Sequence, residues 1–334
     1  MGENESSRFN RRDFLAPAGA AAAAPAAGPV LAQSEKKGAA VAKGPIVWLD
    51  MDQKEIDDAY DQSVWAPNQG EIRKRRIAAC ERALARLGPP RRAAYGPTEI
   101  EKLDIYTTNR PNAPVRVFIH GGAWKNGAAK ESAYMAEMYL AAGAHFVVPD
   151  FAPVTDLGGS LLAMADQVRR AVAWVGKNAA SFGGDPDRIY LAGHSSGAHL
   201  GGVVTITDWK DYGLPRDLLK GALLVSGMYD LKPVRLSKRS LYVKFDDETE
   251  QKLSTQRHLD KIGPPLIVGH GTLETPEFRR QTRDFAAAVK AAGKPIEFFV
   301  GEGYNHFEMQ ETMANPFGLG GRAALEQMGL KIGV

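Results

Sequence analysis

Cysteine is almost absent from this chain of 334 residues, which contains only Cys80. A single thiol cannot form an intramolecular disulfide or a cysteine-based metal cluster, so a buried structural thiol is expected. Charge is nearly balanced as well, because 42 Lys and Arg oppose 39 Asp and Glu for a net charge of +3. This value is too small to indicate binding to nucleic acid or to an anionic membrane. The densest basic run, residues 72–76 (IRKRR), is expected to form a solvated helix face.

Long runs of Leu, Ile and Val are also missing, which argues against a transmembrane helix. The Ala/Gly/Pro run at residues 17–32 contains three prolines and would cross a membrane poorly. It follows RFNRRDFLA (residues 8–16), in which paired arginines precede a Phe-Leu step. The pattern predicts a twin-arginine export signal over residues 1–32, and hence a periplasmic protein, although a disordered Ala-rich tail remains an alternative. Residues 33–47 are predicted to form a flexible leader.

Two patterns divide the rest of the chain. Residues 48–99 are acidic first and basic later, and a Gly-Pro-Pro sequence ends their helical pattern, which predicts an N-terminal helical cap segment. Its apolar residues at helical spacing are Ile72, Ile77, Leu84 and Leu87. Over residues 100–334, short apolar runs alternate with longer helical patterns. This alternation predicts an α/β fold with a doubly wound, mostly parallel sheet and helices on both faces.

Seven apolar runs are predicted strands, and their composition is typical of strands buried on both faces. They are Lys102–Thr107, Val115–His120, Phe146–Asp150, Ile189–Gly193, Ala222–Ser226, Leu266–His270 and Ile296–Val300. The predicted helices are Ser160–Ser181, Gly197–Thr207, Phe278–Ala292 and one near Arg322–Met328. Chemistry in such sheets gathers at the carboxyl ends of the strands, so the residues that follow the strands are the candidates for a site.

One strand end carries a serine motif. The strand Ile189–Gly193 continues into GHSSG, in which Gly193, Ser195 and Gly197 fit the pattern G-x-S-x-G. A helix-compatible segment follows, and this strand–turn–helix context predicts that Ser195 is a nucleophile exposed above the sheet edge. Ser196 is expected to contribute only its backbone N–H, with a hydroxyl that is dispensable to the chemistry.

A serine nucleophile needs a base that takes its proton. His306 follows the last predicted strand in a Gly-rich loop and alone occupies the position expected for that base. His194 lies inside the serine motif and is expected to point away from Ser195. His199, one turn further on, is expected to be structural, whereas a partner role for His270 at a strand end stays open.

The base needs an acid that orients it and stabilises its charge. Glu274, in the loop after the strand Leu266–His270, is the preferred candidate. Glu277 follows Pro276, which is typical of a helix start, where a carboxylate interacts favourably with the helix dipole. Asp230 follows the preceding strand and remains a competing acid.

Backbone donors are also expected near the nucleophile. HGGAW (residues 120–124) follows the strand Val115–His120, and its glycines can present amides without obstruction by side chains. Gly122, Ala123 and Ser196 are therefore predicted to form an oxyanion hole. Trp124 and Trp65 are candidate substrate-binding residues. The segment at residues 48–87 can either cover the site or pack on the outside of the sheet.

Together these motifs resemble a known family. HGGAW, GHSSGAHL, SGMYDL, QVRRAVAWV and ETPEFRRQ followed by NHF are similar to α/β-hydrolases of the HGG-loop esterase/lipase kind, closest to kynurenine formamidases, over roughly residues 100–315. The resemblance implies an α/β-hydrolase fold, a triad of Ser195, Glu274 and His306, and the oxyanion donors named above. Many members have aspartate at the position of the acid, and the fold accepts glutamate.

The sequence therefore predicts a serine hydrolase that cleaves a small-molecule ester or aryl amide through an acyl-enzyme. No metal or cofactor is implied. A general short-chain carboxylesterase is the main alternative. A non-catalytic binding protein on a hydrolase scaffold is a second alternative, because a fold does not guarantee a function.

Overall fold

An eight-stranded sheet runs through the computed structural model of the protein, which describes residues 43–331. The predicted export signal (residues 1–32) and residues 33–42 of the predicted leader lie outside the described residues. Ile46 and Val47, the last residues of that leader, belong to a strand. The prediction of a flexible leader is therefore wrong for these two residues.

The strands fall into a small hairpin and the main sheet. They are β1 Ile46–Trp48, β2 Met51–Asp52, β3 Arg91–Ala94, β4 Lys102–Tyr106, β5 Ala113–Ile119, β6 His145–Pro149, β7 Gly184–His194, β8 Leu219–Val225, β9 Leu266–Gly271 and β10 Ile296–Gly301. β1 pairs with β2, and the main sheet has the order β3-β4-β6-β5-β7-β8-β9-β10. β4 is antiparallel to both of its neighbours, β3 and β6, and the other pairs in the main sheet are parallel. The predicted mostly parallel sheet is confirmed, with all seven predicted strands present as β4–β10.

Helices cover the sheet and connect its strands. They are α1 Gln53–Ala59, α2 Gln62–Trp65, α3 Gln69–Leu87, α4 Ala133–Ala141, α5 Leu161–Asn178, α6 Ser196–Thr205, α7 Leu231–Arg235, α8 Asp247–Leu253, α9 Pro276–Ala291, α10 His306–Thr312 and α11 Leu319–Gln327. The four predicted helices of the sheet region correspond to α5, α6, α9 and α11. Within residues 43–331, none of the helices is both long and apolar enough to cross a membrane.

The central strands are buried on both faces. All seven residues of β5 are buried, including Arg116, whose guanidinium donates to the carbonyls of Leu191 at 2.6 Å and Ala324 at 2.9 Å. The rings of Tyr139 and Tyr190 lie 5.7 and 5.6 Å from the guanidinium carbon. The side chain thus joins β5, β7 and α11 inside the core.

The N-terminal segment, residues 48–99, is helical only in part. α3 ends at Leu87 and is capped by Gly88, which has a φ of 75°. The following Pro89 and Pro90 cannot continue a helix. The chain instead enters β3, which pairs antiparallel with β4 at the sheet edge. The prediction that Ile77 belongs to the apolar face of α3 is wrong, because its side chain is 49% exposed. The buried positions of the helix are Ile72, Cys80 and Ala83.

The remaining features of α3 agree with expectation. Residues 73–75 of the basic run are exposed to solvent. The Cys80 thiol is buried, it donates to the Glu131 carbonyl at 3.3 Å, and burial raises its pKa. Both observations fit a structural thiol that packs the helix against the body of the protein.

The N-terminal segment also contacts α9 and the start of α10. The Tyr60 hydroxyl donates to Glu277 at 2.9 Å and accepts from Gln281 at 2.7 Å, both on α9. The Asn68 side-chain Oδ1 accepts from the side-chain amide of Asn305, the N-cap of α10, at 2.8 Å. The segment therefore contacts the start of the helix that carries His306.

Candidate active site

Ser195 lies at a sharp turn between a strand and a helix. β7 ends at His194 and α6 begins at Ser196, so the serine is the single residue between them. Its backbone has a φ of 59° and a ψ of −126°, a region that non-glycine residues rarely occupy and that stores roughly 1–3 kcal/mol of strain. Its N–H donates to the Val225 carbonyl at 3.0 Å, which ties the strained turn to β8.

The two glycines of the motif allow this turn because no side chain fits at either position. A Cβ at Gly193 would lie 2.4 Å from the Gly197 carbonyl oxygen, and a Cβ at Gly197 would lie 2.1 Å from the Ile119 carbonyl oxygen. Both contacts are to backbone atoms, which cannot rotate away as a flexible side chain would. The glycines thus let α6 start directly against the ends of β5 and β7.

The structure brings Ser195, His306 and Glu274 together in one hydrogen-bonded row. The His306 Nε2 lies 2.9 Å from the Ser195 Oγ, and the His306 Nδ1 lies 2.6 Å from the Glu274 Oε2. Their relative exposures are 7%, 3% and 0% respectively. Ser195 follows β7, Glu274 follows β9 and His306 follows β10. These strands are parallel and are joined through β8, so their carboxyl ends lie at one edge of the sheet.

The Glu274 carboxylate fixes the proton on the His306 ring. An ionised carboxylate only accepts hydrogen bonds, so the Nδ1 at its side carries the hydrogen. The Nε2 is then a free acceptor for the Ser195 hydroxyl proton. This is the tautomer that general-base chemistry at the serine requires.

Two further groups, absent from the sequence-based prediction, hold the other carboxylate oxygen. The Ser226 hydroxyl donates to the Glu274 Oε1 at 2.6 Å, and the Gly271 N–H donates to the same atom at 2.7 Å. Ser226 follows β8 with a φ of 57° and is fully buried. The sequence offered only its position at a strand end, where the hydroxyl had no visible partner.

The two competing acids, Asp230 and Glu277, bond to other partners. Asp230 caps α7 by accepting from the Lys232 N–H at 3.1 Å, and it pairs with Arg257 at 3.3 Å. Glu277 pairs with Arg280 through both of its oxygens, at 2.6 and 2.8 Å. Neither contacts His306, so the geometry selects Glu274 among the candidates.

The other histidines near the site have structural partners. The His194 Nε2 lies 2.9 Å from the His306 carbonyl oxygen, and burial, with a smaller effect of His306, lowers the pKa of His194 well below its usual value. A neutral His194 thus donates to the backbone that carries the candidate base. His199 bonds the Leu253 carbonyl at 3.0 Å, and burial lowers its pKa to about 4. The Nδ1 of His270 lies 3.1 Å from its neighbouring carbonyl, Gly271.

The HGGAW loop lies directly against the serine turn. A Cβ at Gly121 would lie 3.1 Å from the Ser195 Cβ, and Gly122, Ala123 and Trp124 all have positive φ. No hydrogen bond among residues 43–331 occupies the amide of Gly122 or Ala123. The amide of Ser196 is the first of α6, where a helix offers no internal acceptor. All three predicted donors are therefore free to bind an oxyanion.

The Ser196 hydroxyl has a partner that the sequence did not suggest. It accepts from the Trp124 N–H at 3.3 Å. This contact joins the start of α6 to the HGGAW loop, so the hydroxyl helps to hold the loop.

The two candidate substrate-binding tryptophans differ in placement. Trp124 is buried, and its ring packs edge-on against His199 with centroids 5.2 Å apart. Trp65, at the end of α2, is 40% exposed. No aromatic contact within the described residues joins Trp65 to the rings around His306. The segment 43–331 contains no group of three His, Cys, Asp or Glu side chains arranged to hold a metal ion.

Sequence similarity relates the chain to known hydrolases. The family described as BD-FAE matches residues 103–217. The kynurenine formamidase of Danio rerio is 30% identical over 281 residues, which cover 80% of this chain and 94% of that protein. The chain belongs to the kynurenine formamidase family. It is a hydrolase of the ester and amide type that acts on a small molecule.

Solved structures share the fold of this kynurenine formamidase family member. A protein from Silicibacter sp. tm1040, provisionally described as a thioesterase, matches with a TM-score of 0.69 at 22% identity, over 79% of this chain and 96% of that one. A thermostable carboxylesterase from a metagenomic library matches with a TM-score of 0.61 at 20% identity, over 78% and 94%. Identities this low establish the fold alone, which is the predicted α/β-hydrolase fold.

The substitution Gly197→Ala tests the close approach that shapes the turn in this family member. The added Cβ would overlap the Ile119 carbonyl, so we expect a loss of about 3 kcal/mol in the free energy of unfolding, measured with urea. Gly70→Ala is the matched control, because Gly70 lies on α3 with nothing within 4 Å of an added Cβ. It should gain up to about 1 kcal/mol. Equal stability of the two variants would contradict the explanation.

The substitution Ser226→Ala tests the support of Glu274. Removing a hydrogen bond to a buried carboxylate should lower kcat about tenfold, because the carboxylate then holds His306 less firmly. KM should change little. Ser254→Ala is the control, since that buried hydroxyl accepts from the Leu231 N–H at 2.9 Å and does not contact Glu274. If both variants lose the same activity, Ser226 has no specific role in holding the acid.

Proposed function

We propose that the protein hydrolyses an aryl formamide or a related short-chain aryl ester through an acyl-enzyme on Ser195. The observation that carries the proposal is the hydrogen-bonded row of Ser195, His306 and Glu274, at 2.9 and 2.6 Å. Membership of the kynurenine formamidase family supports the choice of a formamide.

The first half-reaction forms the acyl-enzyme. His306 takes the proton of the Ser195 hydroxyl as the oxygen attacks the substrate carbonyl carbon, and Glu274 stabilises the imidazolium that results. The carbonyl oxygen becomes an oxyanion and accepts from the amides of Gly122, Ala123 and Ser196. The loss of one such donor raises a barrier of this kind by roughly 3–4 kcal/mol.

The second half-reaction returns the free enzyme. His306 protonates the leaving amine or alcohol as its bond to the acyl carbon breaks. Water then enters, gives a proton to His306 and attacks the acyl carbon with the same oxyanion donors in place. Ser195 leaves as the acid product forms and recovers its proton from His306.

The surroundings of the serine support a small acyl group and an aromatic leaving group. Ser195 and His306 are almost fully buried, and this burial favours a small acyl group. The Phe278 ring stands edge-on to the His306 ring, with centroids 5.0 Å apart. Such an apolar, aromatic border suits an aromatic amine or phenol better than an aliphatic chain.

Kinetics on the full chain test the proposal. We expect kcat/KM for N-formylkynurenine to exceed that for p-nitrophenyl acetate, because the formyl group is the smallest acyl group and the leaving group is an aromatic amine. A preference for the acetate ester would instead indicate a general short-chain carboxylesterase. No turnover of either compound would favour a binding protein on a hydrolase scaffold.

Two serine variants separate the roles of the neighbouring hydroxyls. Ser195→Ala should lower kcat by a factor of about 10⁴ or more, because both the nucleophile and its covalent intermediate are lost. Ser196→Ala keeps its backbone donor and loses only the contact to Trp124, so it should retain most of the activity. Full activity in Ser195→Ala would disprove the mechanism.

A further inference from the structure

A buried arginine lies beside the candidate active site without a charged partner. Arg239 belongs to the short 3-10 turn Lys238–Leu241, between β8 and β9, and is 4% exposed. Its Nη2 donates to the Tyr60 carbonyl at 3.1 Å. Its Nε and Nη1 are buried with no hydrogen-bond partner among residues 43–331. The buried Arg116 also lacks a carboxylate, but both of its terminal nitrogens donate to carbonyls, whereas Arg239 leaves Nη1 unfilled. A buried donor without an acceptor is unfavourable, so a further acceptor, best an anionic one, would stabilise Arg239.

The carboxylates on the adjoining segments are already paired with other cations. Asp61 follows the Tyr60 that Arg239 contacts, but it pairs with Lys238. Glu277, which accepts from the Tyr60 hydroxyl, pairs with Arg280. None of the ion pairs within the described residues reaches Arg239.

A neutral neighbour does not remove this charge. Burial raises the pKa of the Tyr242 phenol, and the Arg239 guanidinium opposes that rise through its charge and, to a smaller extent, through a hydrogen-bonding contact with the phenol. The phenol therefore stays neutral near pH 7 and cannot act as a counter-charge.

Arg239 is surrounded by three aromatic rings, two of which belong to or contact the candidate active site. Its guanidinium carbon lies 5.1 Å from the Trp124 ring, 5.9 Å from the Tyr60 ring and 6.0 Å from the Phe278 ring. Trp124 belongs to the HGGAW loop, and Phe278 stands against His306. The rings stabilise the positive charge through their π faces and leave its N–H groups for another acceptor. Arg239 is thus linked to the candidate active site through the Trp124 and Phe278 rings.

A second donor without a partner lies in the same group. The Trp124 Nε1 is buried and has no acceptor among the described residues, and an indole N–H can only donate. Two neighbouring side chains therefore offer unfilled donors, and one of them carries a full charge. A negatively charged group that accepts hydrogen bonds would satisfy both side chains.

We propose that Arg239, assisted by the Trp124 Nε1, forms an anion subsite, so that the preferred substrates are esters or amides that carry a carboxylate. The assignment of substrates rests on the proposed hydrolase function. A carboxylate fits because it accepts hydrogen bonds without donating and forms strong charge-assisted bonds to a guanidinium. Bound there, it would hold the scissile carbonyl near Ser195.

A purely structural role for Arg239 would have different consequences. The arginine would then only connect the Tyr60 carbonyl to the HGGAW loop through its ring contacts. Loss of that connection would weaken hydrolysis of charged and neutral substrates equally. The ratio of the two activities is therefore the informative quantity.

Matched pairs of esters measure that ratio on the full chain. 4-Acetoxybenzoate against its methyl ester places the charge on the leaving group, and 4-nitrophenyl hydrogen succinate against 4-nitrophenyl butyrate places it on the acyl group. In one of the two pairs, we expect Arg239→Gln to reduce the charged-to-neutral ratio of kcat/KM about tenfold or more. Arg239→Lys should restore part of that ratio.

Arg235→Gln is the matched control for long-range charge. Arg235 lies four residues earlier, is partly exposed and pairs with Asp247 and Glu250. This variant removes the same unit of charge and should leave both ratios unchanged. An Arg239→Gln ratio equal to that of the wild type in both pairs would overturn the proposal, as would an equal change in the Arg235 variant.

Binding of benzoate tests the subsite independently of catalysis. Titration followed by calorimetry should show benzoate binding to the wild type and to Arg235→Gln, weakened about tenfold or more in Arg239→Gln. If benzoate binds in this way but no ester is cleaved, the subsite stands and the proposed hydrolase chemistry fails. Absence of benzoate binding by the wild type, or equal binding by all three proteins, overturns the subsite.

Discussion

The hydrogen bond between Glu274 and His306 is the contact on which the arrangement of the site depends. It joins two fully buried groups at 2.6 Å, and it decides which ring nitrogen of the histidine carries the proton. Only that tautomer leaves the other nitrogen free to accept from Ser195. The carboxylate is itself fixed by the Ser226 hydroxyl and the Gly271 amide. The orientation of His306, the candidate base, is therefore set by the ends of β8 and β9 and not by its own loop alone.

A second constraint acts on Ser195, the candidate nucleophile. Ser195 occupies a strained backbone conformation that persists because the start of α6 is pressed against β5 and β7. The same close approach brings the HGGAW loop to the serine and leaves its amides without internal acceptors. Strain and free donors thus arise from one packing feature. The Ser196 hydroxyl adds to it by accepting from the loop.

Much of this arrangement could be predicted from local patterns. Continuous apolar strands and the intervening helices indicated a parallel sheet, and parallel strands gather the residues that follow them at one edge. Ser195, Glu274 and His306 were identifiable because each follows a strand, and the Gly-Gly loop was identifiable because it lacks side chains. The order of these motifs along the chain was as informative as the motifs themselves.

The features that the sequence did not reveal depend on contacts between distant segments. Ser226 bonds a carboxylate 48 residues further on, and His194 bonds a carbonyl 112 residues further on. α10 is a short helix whose start depends on the Asn305 cap, and β3 is too short and polar to be recognised without its partner β4. The charge of Arg239 is conspicuous only because the structure buries it among rings, whereas its sequence context resembles an exposed basic turn.

The site of covalent modification tests the central claim most directly. Diethyl 4-nitrophenyl phosphate transfers its phosphoryl group to an activated serine, and fragmentation of the modified peptide by mass spectrometry distinguishes Ser195 from its neighbour Ser196. The account predicts one diethylphosphoryl group per chain, attached to Ser195. Modification of Ser196, or no modification of the folded full chain, would contradict it.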